Sequence, residues 1–411
     1  MDRGRGRGRG STFRGRGRGY GARNPTVRVG KTADGMEIDP KDVFQIKRPQ
    51  TYSGDADFLH RPNIQGCYSV DSEREFGHDN SLLHFVDTQY LQEEGKLQVQ
   101  LDLNRGRDKH NMYTGIHIIN FQGFLNWILN NQECARESSE RLTTDFISLR
   151  GNFINIMRTP YDILSWTMYA TEFKGSIYIL NWPTEEFIEQ QKKPEMDDPS
   201  KWGHAFKHYM RGGDPEDGVD ANEEYYVVFK NQIGQISLFY PAKVDCVDPE
   251  LFEEDFKNME SFVSIKCCKE LTDDRKRRNF KRFKLNQIWC ENKLADIPRT
   301  IVGFRTDDGV VHSLELLKTD KLPEICEDEW DPNVCLNFLV VFLNFVKERV
   351  HREPGTTFKF HREAWGHSIY CSKLTGTDHI NMLPTWYTDG LFAEDFKDES
   401  KEQSYSLKVN N

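Results

Sequence analysis

The chain has 411 residues, 37% of them hydrophobic and 29% charged, and 65 acidic side chains against 55 Lys and Arg leave a net charge of -10. With 27 Phe, 15 Tyr and 8 Trp it can bury a large core. It contains no run of about 18 apolar residues that would read as a membrane span, and its Arg- and Gly-filled start does not read as a signal peptide. The nine cysteines are scattered without a C-x-x-C pair, which excludes a zinc ribbon and a disulfide framework and reads as reduced thiols of an intracellular protein.

Taken in order, residues 1–24 carry eight arginines and one aspartate among glycines, with Phe13 and Tyr20 interleaved. Such a segment cannot bury a core and is expected to be disordered. Guanidinium groups on flexible glycines suit RNA phosphates and base faces, or simply solubility. The domain reading is a disordered tail over 1–40, one folded domain over 41–393 and a charged flexible tail over 394–411. Within the domain, apolar residues at helical spacing predict a helix over 116–131 and a second over 139–158 that carries Arg150. Two strands are expected across 166–182 around Lys174-Gly175, followed by a polar, partly helical segment to about 199. His204 and His208, four apart, read as ordinary surface histidines, since no third metal ligand is near.

Strands are expected at 225–230 and 236–247 with a loop over Asn231–Gln235, and again at 261–267. Residues 275–284 hold seven cations in ten positions. A helix there places Arg277, Lys281 and Lys284 on one face and Phe280 and Phe283 on another, as a solvated face or as one wall of a nucleic-acid groove. A hairpin is expected over 299–305 and 310–317 with a primed turn at Asp308-Gly309. A strong helix follows over 330–347, with Asp331 as N-cap and Pro332 in the first turn. Its stripe of Val334, Phe338, Phe342, Phe345 and Val346 is core.

The chemistry concentrates between Pro241 and Lys266. On a strand, alternate side chains share a face, so Lys243 pairs with Asp245 and Ser264 with Lys266. Two such strands side by side gather an Asp, two Lys and a Ser in one patch. Metal-dependent nucleases of the PD-(D/E)XK type use an Asp on one strand and a (D/E)-x-K on the next. Carboxylates hold Mg²⁺ there, and the metal and the Lys activate the attacking water. Here Ser264 stands two residues before Lys266, where that pattern has its acid, so the stretch looks like a nuclease site with ligands missing.

A set of short motifs runs in order over roughly residues 50–390: Y-S-G, F-L-H-R-P and G-C-Y-S-V-D near the start, R-G and T-P-Y-D at 150–162, W-G-H-A-F-K at 202–207, V-D-C-V-D-P at 244–249, F-V-S-I-K-C at 262–267, G-F-R-T-D-D-G-V at 303–310, W-D-P-N-V-C-L-N-F at 330–338 and L-P-T-W-Y at 383–387. On these the chain resembles the decapping exoribonuclease (DXO-like) family, which removes incomplete, triphosphate or NAD caps from RNA and degrades the RNA 5′ to 3′ with Mg²⁺ or Mn²⁺. The resemblance implies an α+β fold with two twisted mixed β-sheets flanked by helices around a PD-(D/E)XK nuclease-like core, the site lying between the sheets. It also implies RNA 5′ ends as partner, a 5′–3′ exoribonuclease as a protein partner, and a nuclear, or nuclear and cytoplasmic, location.

Carried over position by position, the family's phosphate-contacting Arg falls on Arg150. Its site acids fall on Lys207, Lys243, Asp245 and Ser264, its Lys on Lys266, and a site Gln on Glu291. Two Glu-to-Lys changes and one Glu-to-Ser change, less one Gln-to-Glu change, make the site four charges more positive. A divalent ion about 4 Å from one unit charge feels about 8 kcal/mol at an effective dielectric constant of 20, so the substituted site is expected to repel it. Asp245 with Glu291 is a weak metal set. Three readings follow. The protein is an RNA-binding pseudoenzyme whose Arg150, Lys207 and Lys243 hold phosphate, or an active nuclease using Asp245 and Lys266, or a protein-interaction scaffold.

Overall fold

The computed structural model describes residues 39–391 apart from 57–58, 92–94, 113–116, 139–140, 182–199, 254–257, 376–379 and 381. The expectations for the Arg-Gly tail, the polar 182–199 segment and the 394–411 tail therefore lie outside the described residues. Two mixed sheets organise the rest. In spatial order the larger consists of Val43–Gln45 (β1), Ser368–Lys373 (β15), Phe358–Arg362 (β14), Trp166–Phe173 (β6), Ser176–Leu180 (β7), Phe146–Ser148 (β5), Ile236–Lys243 (β9), Glu224–Ile233 (β8), Asn63–Val70 (β2) and Phe76–Gly77 (β3). The smaller runs Cys246–Val247 (β10), Phe262–Lys269 (β11), Arg299–Arg305 (β12), Val310–Lys318 (β13) and Lys96–Asp102 (β4). Among the described residues, no helix is long and apolar enough to cross a membrane, and all nine thiols are free.

Helices cover the sheets. His117–Asn130 (α1) packs Phe124, Trp127 and Ile128 with Tyr178 and Phe239 of the large sheet. Arg150–Arg158 (α2), Asn286–Ala295 (α5) and Pro332–Val350 (α6) fill the main core with residues from both sheets. Ser200–Met210 (α3) lays Ala205, Phe206 and Met210 against Val263, Ile265 and Ile301 of the small sheet. The N-cap of α6 is as expected: the Asp331 carboxylate accepts from Asn333 N at 2.9 Å, with Pro332 next.

Several boundaries differ from the sequence expectation. The helix expected over 139–158 is a strand, β5, followed by the shorter α2. Phe146, Ile147 and Ser148 are all buried, paired in parallel with β7 on one side and β9 on the other. A short apolar run buried on both faces has no period that separates strand from helix. The β8–β9 loop is shorter than Asn231–Gln235, because Ile233 already pairs with Ile236. The β12–β13 turn is not primed, since Gly309 at φ 87° is the only residue of Thr306–Gly309 with positive φ and a primed turn of type I′ needs two. The basic stretch is longer than expected: Asp274–Asn279 (α4) passes through a π-helical turn at Phe280–Leu285 into α5.

The crossing between the sheets positions the site. After Lys243 the chain leaves the large sheet, and β10 pairs antiparallel with β11 so that Cys246 faces Val263, which sets Asp245 level with Ser264. The strands of the Asp245 and Lys266 motifs are thus neighbours in the small sheet, while Lys243 stays on β9 in the large one. Gly303 on β12 fixes how closely α3 approaches, because a Cβ there would stand 2.4 Å from the Phe206 ring. Gly303→Ala is expected to cost about 1–3 kcal/mol by overpacking and to displace the turn carrying Lys207. Chemical denaturation measures the first, and an unchanged midpoint would mean that α3 does not seat on this glycine.

Candidate functional site: a pocket of paired charges

The pocket occupies about 440 Å³ and has a wall from each of five neighbouring segments. Arg150, Gly151 and Ile154 come from α2, Lys207 from α3, Pro241 and Lys243 from β9, Ser264 and Lys266 from β11, and Glu291 from α5, with Asp245 at the crossing. Every site residue expected from the sequence lies in this one cavity. Lys243 and Asp245 face the same space, as do Ser264 and Lys266, which is the alternation expected of extended chain. A cavity of about 520 Å³ lies beyond Asn292 and Ile297, which line both.

The lysines are not loose cations. Lys207 Nζ donates to Asp245 Oδ1 at 2.6 Å, Lys266 Nζ pairs with Glu291 Oε2 at 2.8 Å, and Lys243 Nζ pairs with Glu224 Oε1 at 3.0 Å. Asp245 Oδ2 accepts from Ile265 N at 2.9 Å and lies 3.4 Å from the Ser264 hydroxyl. Glu291 Oε1 accepts from Gln287 Nε2 at 2.6 Å. The Arg150 guanidinium bridges two elements, donating to Glu291 O at 3.2 Å and Lys243 O at 3.1 Å. His204 and His208 are half-buried rather than surface residues. His208 Nε2 lies 2.9 Å from Asp214 O, and burial followed by Lys207 and Lys243 pushes His204 down to about 4.

Burial and pairing set the titrations. Burial would raise the Asp245 carboxyl, but Lys207 and Lys266 outweigh it and hold Asp245 far below the usual range. Burial would also raise Glu291, and Lys266 followed by Arg150 brings it down to about 2. Burial lowers Lys207 to about 8 even with Asp245 pulling the other way. Lys266 moves upward, because Glu291 and Asp245 more than offset its burial.

Sequence reasoning missed Glu224, its partners Arg74 and Tyr226, and Gln287. Glu224, buried under Lys243, also takes Arg74 Nη1 at 2.7 Å and the Tyr226 hydroxyl at 3.0 Å. Its signal was available only through pairing, since Tyr226 stands opposite Lys243 across β8 and β9. Gln287, four residues before Glu291 on the same helical face, was readable from spacing.

Mg²⁺ and Mn²⁺ prefer several oxygen ligands, and this donor set does not fit them. Each oxygen of Asp245 and Glu291 already faces an N–H or O–H donor. A metal on Asp245 Oδ1 would have to displace the Lys207 ammonium. Among the described residues no group of three or more His, Cys, Asp or Glu side chains could hold a metal ion.

Residues 60–388 match the family described as RAI1-like PD-(D/E)XK nuclease. The chain belongs to this family. It is 27% identical over 367 residues to the human decapping and exoribonuclease protein, covering 84% of this chain and 88% of that one. It is 28% identical over 341 residues to the decapping nuclease RAI1 of Aspergillus fumigatus, covering 76% and 89%. The fold is similar to that of Candida albicans Rai1 in complex with pU5-Mn²⁺, with a TM-score of 0.69, 16% identity, and coverage of 86% of this chain and 98% of that one. Scheffersomyces stipitis Rai1, solved with (3′-NADP)⁺ and a calcium ion, gives 0.69 at 17% identity, covering 85% and 99%. The expected α+β architecture of two mixed sheets with flanking helices is the family's.

Two measurements test the pairing inside this RAI1-like pocket. Lys207→Met leaves the Asp245 carboxylate buried without its cation and is expected to cost about 3 kcal/mol or more at pH 7. Adding Asp245→Asn to the same chain should return much of that loss. A double variant no more stable than the single would mean that the two residues are not coupled. Glu291, with its folded pKa depressed, contributes stability that is fully present above pH 4.5 and lost as pH falls toward 2, on the order of 3 kcal/mol. Glu291→Gln should flatten that part of the stability–pH curve, and an unchanged curve would refute the Lys266–Glu291 pair.

Proposed function

We propose that this protein binds the 5′ ends of RNA through the pocket and does not cut them by the metal-dependent route. The Lys207–Asp245 ion pair carries the reading, because it puts an ammonium on the carboxylate oxygen that a catalytic metal would need. The named relatives are decapping proteins, and the Candida albicans structure holds an RNA pentamer, pU5, with Mn²⁺. They point to the ligand class, and the changed residues point to the changed outcome.

The charge balance favours a terminal phosphate. Arg150, Lys207, Lys243 and Lys266 stand against Asp245, Glu291 and Glu224, and Arg74 shares Glu224. Five positive and three negative charges leave two positive. A phosphate monoester carries close to two negative charges at pH 7. Lysines act on phosphate as point charges and Arg150 as a fork. Two Arg150 donors hold the backbone, and its other N–H groups are available to a ligand. The phosphate would share the ammoniums with their carboxylates. The acids hold the lysines in place, and only the surplus charge is offered to the ligand.

Anisotropy with 5′-phosphorylated and 5′-hydroxyl oligoribonucleotides tests the binding. The phosphorylated form is expected to bind at least tenfold more tightly, and Arg150→Ala should remove most of that preference. Affinity should fall as pH rises through about 8, where Lys207 loses its proton. Equal binding of the two RNAs would overturn the reading. Incubation of triphosphate, unmethylated-cap and NAD-capped RNA with Mn²⁺ should yield no release of the 5′ group. Turnover abolished by Asp245→Ala would instead make the protein an active decapping nuclease. The triple variant Lys207→Glu, Lys243→Glu, Ser264→Glu should gain Mn²⁺ binding in calorimetry, and no gain would mean that these positions are not the former ligand sites. A nuclear location and a 5′–3′ exoribonuclease partner belong to this proposal as expectations from the family, and fractionation and affinity capture test them.

A further inference from the structure

We infer that the pocket continues into a second cavity that takes the next nucleotides of the bound RNA, a reading that rests on the pocket as a 5′-phosphate site. Three elements line both spaces with the same faces. On α2 the series Arg150, Ile154 reaches Arg158, on β11 Ser264 and Lys266 lead to Cys268, and on the α4–α5 helix Glu291 leads back to Gln287 and Lys284. Those steps are the helical and strand periods along one wall. The second cavity occupies about 410 Å³. From Glu291 to Lys284 is seven residues, about 10 Å of helix, roughly three phosphates of a stacked strand.

The lining suits a nucleic-acid strand. Arg158, Lys269, Lys276 and Lys284 stand against one carboxylate, Glu270, on a chain whose net charge is -10. Arg158 and Lys269 are paired with Asp162 and Asp307. Lys276 reaches the Thr272 hydroxyl at 2.9 Å, and neither Lys276 nor Lys284 has a carboxylate within ion-pair distance among the described residues. Phe283 lies half-buried on the same wall. Cations that follow a backbone beside an aromatic face for bases are the arrangement that binds single strands without reading sequence. The expected faces of the basic helix are corrected here, because Phe280, Phe283 and Lys284 share this cavity, whereas Arg277 and Lys281 turn to another with Phe280. Gln287 bonds Glu291 between the two spaces and links the phosphate pocket to the groove.

A length series separates this inference from the pocket reading. Binding is measured for uridine 5′-monophosphate and for 5′-phosphorylated oligouridines of two to eight residues. Wild-type affinity is expected to rise at least tenfold over the first three or four nucleotides. The double charge reversal Lys276→Glu, Lys284→Glu should leave the mononucleotide unchanged and abolish most of that rise, with a shallower salt dependence. Phe283→Ala should reduce it about tenfold for the oligomers alone. Lys321→Glu, an exposed reversal elsewhere, controls for net charge and should have little effect. A length-dependent rise that survives the double reversal overturns the groove, and so does an equal loss with Lys321→Glu. If the mononucleotide and the 5′-hydroxyl oligomers show that the terminal phosphate contributes nothing, the pocket reading fails, whatever the groove does.

Discussion

A carboxylate taken out of water needs a counter-charge, and in this fold Asp245 is 7% exposed at the point where the chain passes from one sheet to the other. A divalent metal or an ammonium can supply that charge. Here the ammonium of Lys207 does so from α3. The other site charges arrange themselves around this choice: Lys266 turns to Glu291, Lys243 turns to Glu224, and Arg150 ties α5 to β9 through their carbonyls. The site is therefore an ordered set of ion pairs with a small positive surplus.

That arrangement makes the site charges depend on one another. Buried ion pairs give little net stability compared with a well-packed apolar core, but removing one partner is costly. The pocket is consequently locked by mutual dependence. Its walls come from β9, β11, α2, α3 and α5, and the large core between the sheets keeps them at fixed separations. The outer face of the small sheet does the same for α3, whose closest approach is set by Phe206 on Gly303. A metal entering at Asp245 or Glu291 would have to break at least one of these pairs.

Much of this was legible in the residues. The alternation in Lys243–Asp245 and Ser264–Lys266, the capped helix after Asp331, the Lys174-Gly175 hairpin and the ordered motif series all carry local signals: period, cap chemistry, positive φ and spacing. Phe146–Ser148 was misread as helix because a strand buried on both faces has no polar side to mark its period. The Asp308-Gly309 turn was misread because Asp-Gly serves more than one turn type, and the two-residue registers around it decide which.

The sequence by itself determined most of the ionisable groups in the site, though not Glu224 or Arg74, because strand alternation and the motif order need only neighbours along the chain. Only the tertiary structure decided what those groups do to one another. Lys207 and Asp245 are 38 residues apart, Lys266 and Glu291 belong to different layers, and Glu224 reaches Lys243 across a hairpin. Coulomb energy depends on distance and burial, and neither is written in the order of residues. The count set against the resembled family gives four added positive charges, while folding brings in Glu224 and Arg74 and leaves three lysine–carboxylate pairs and a surplus of two.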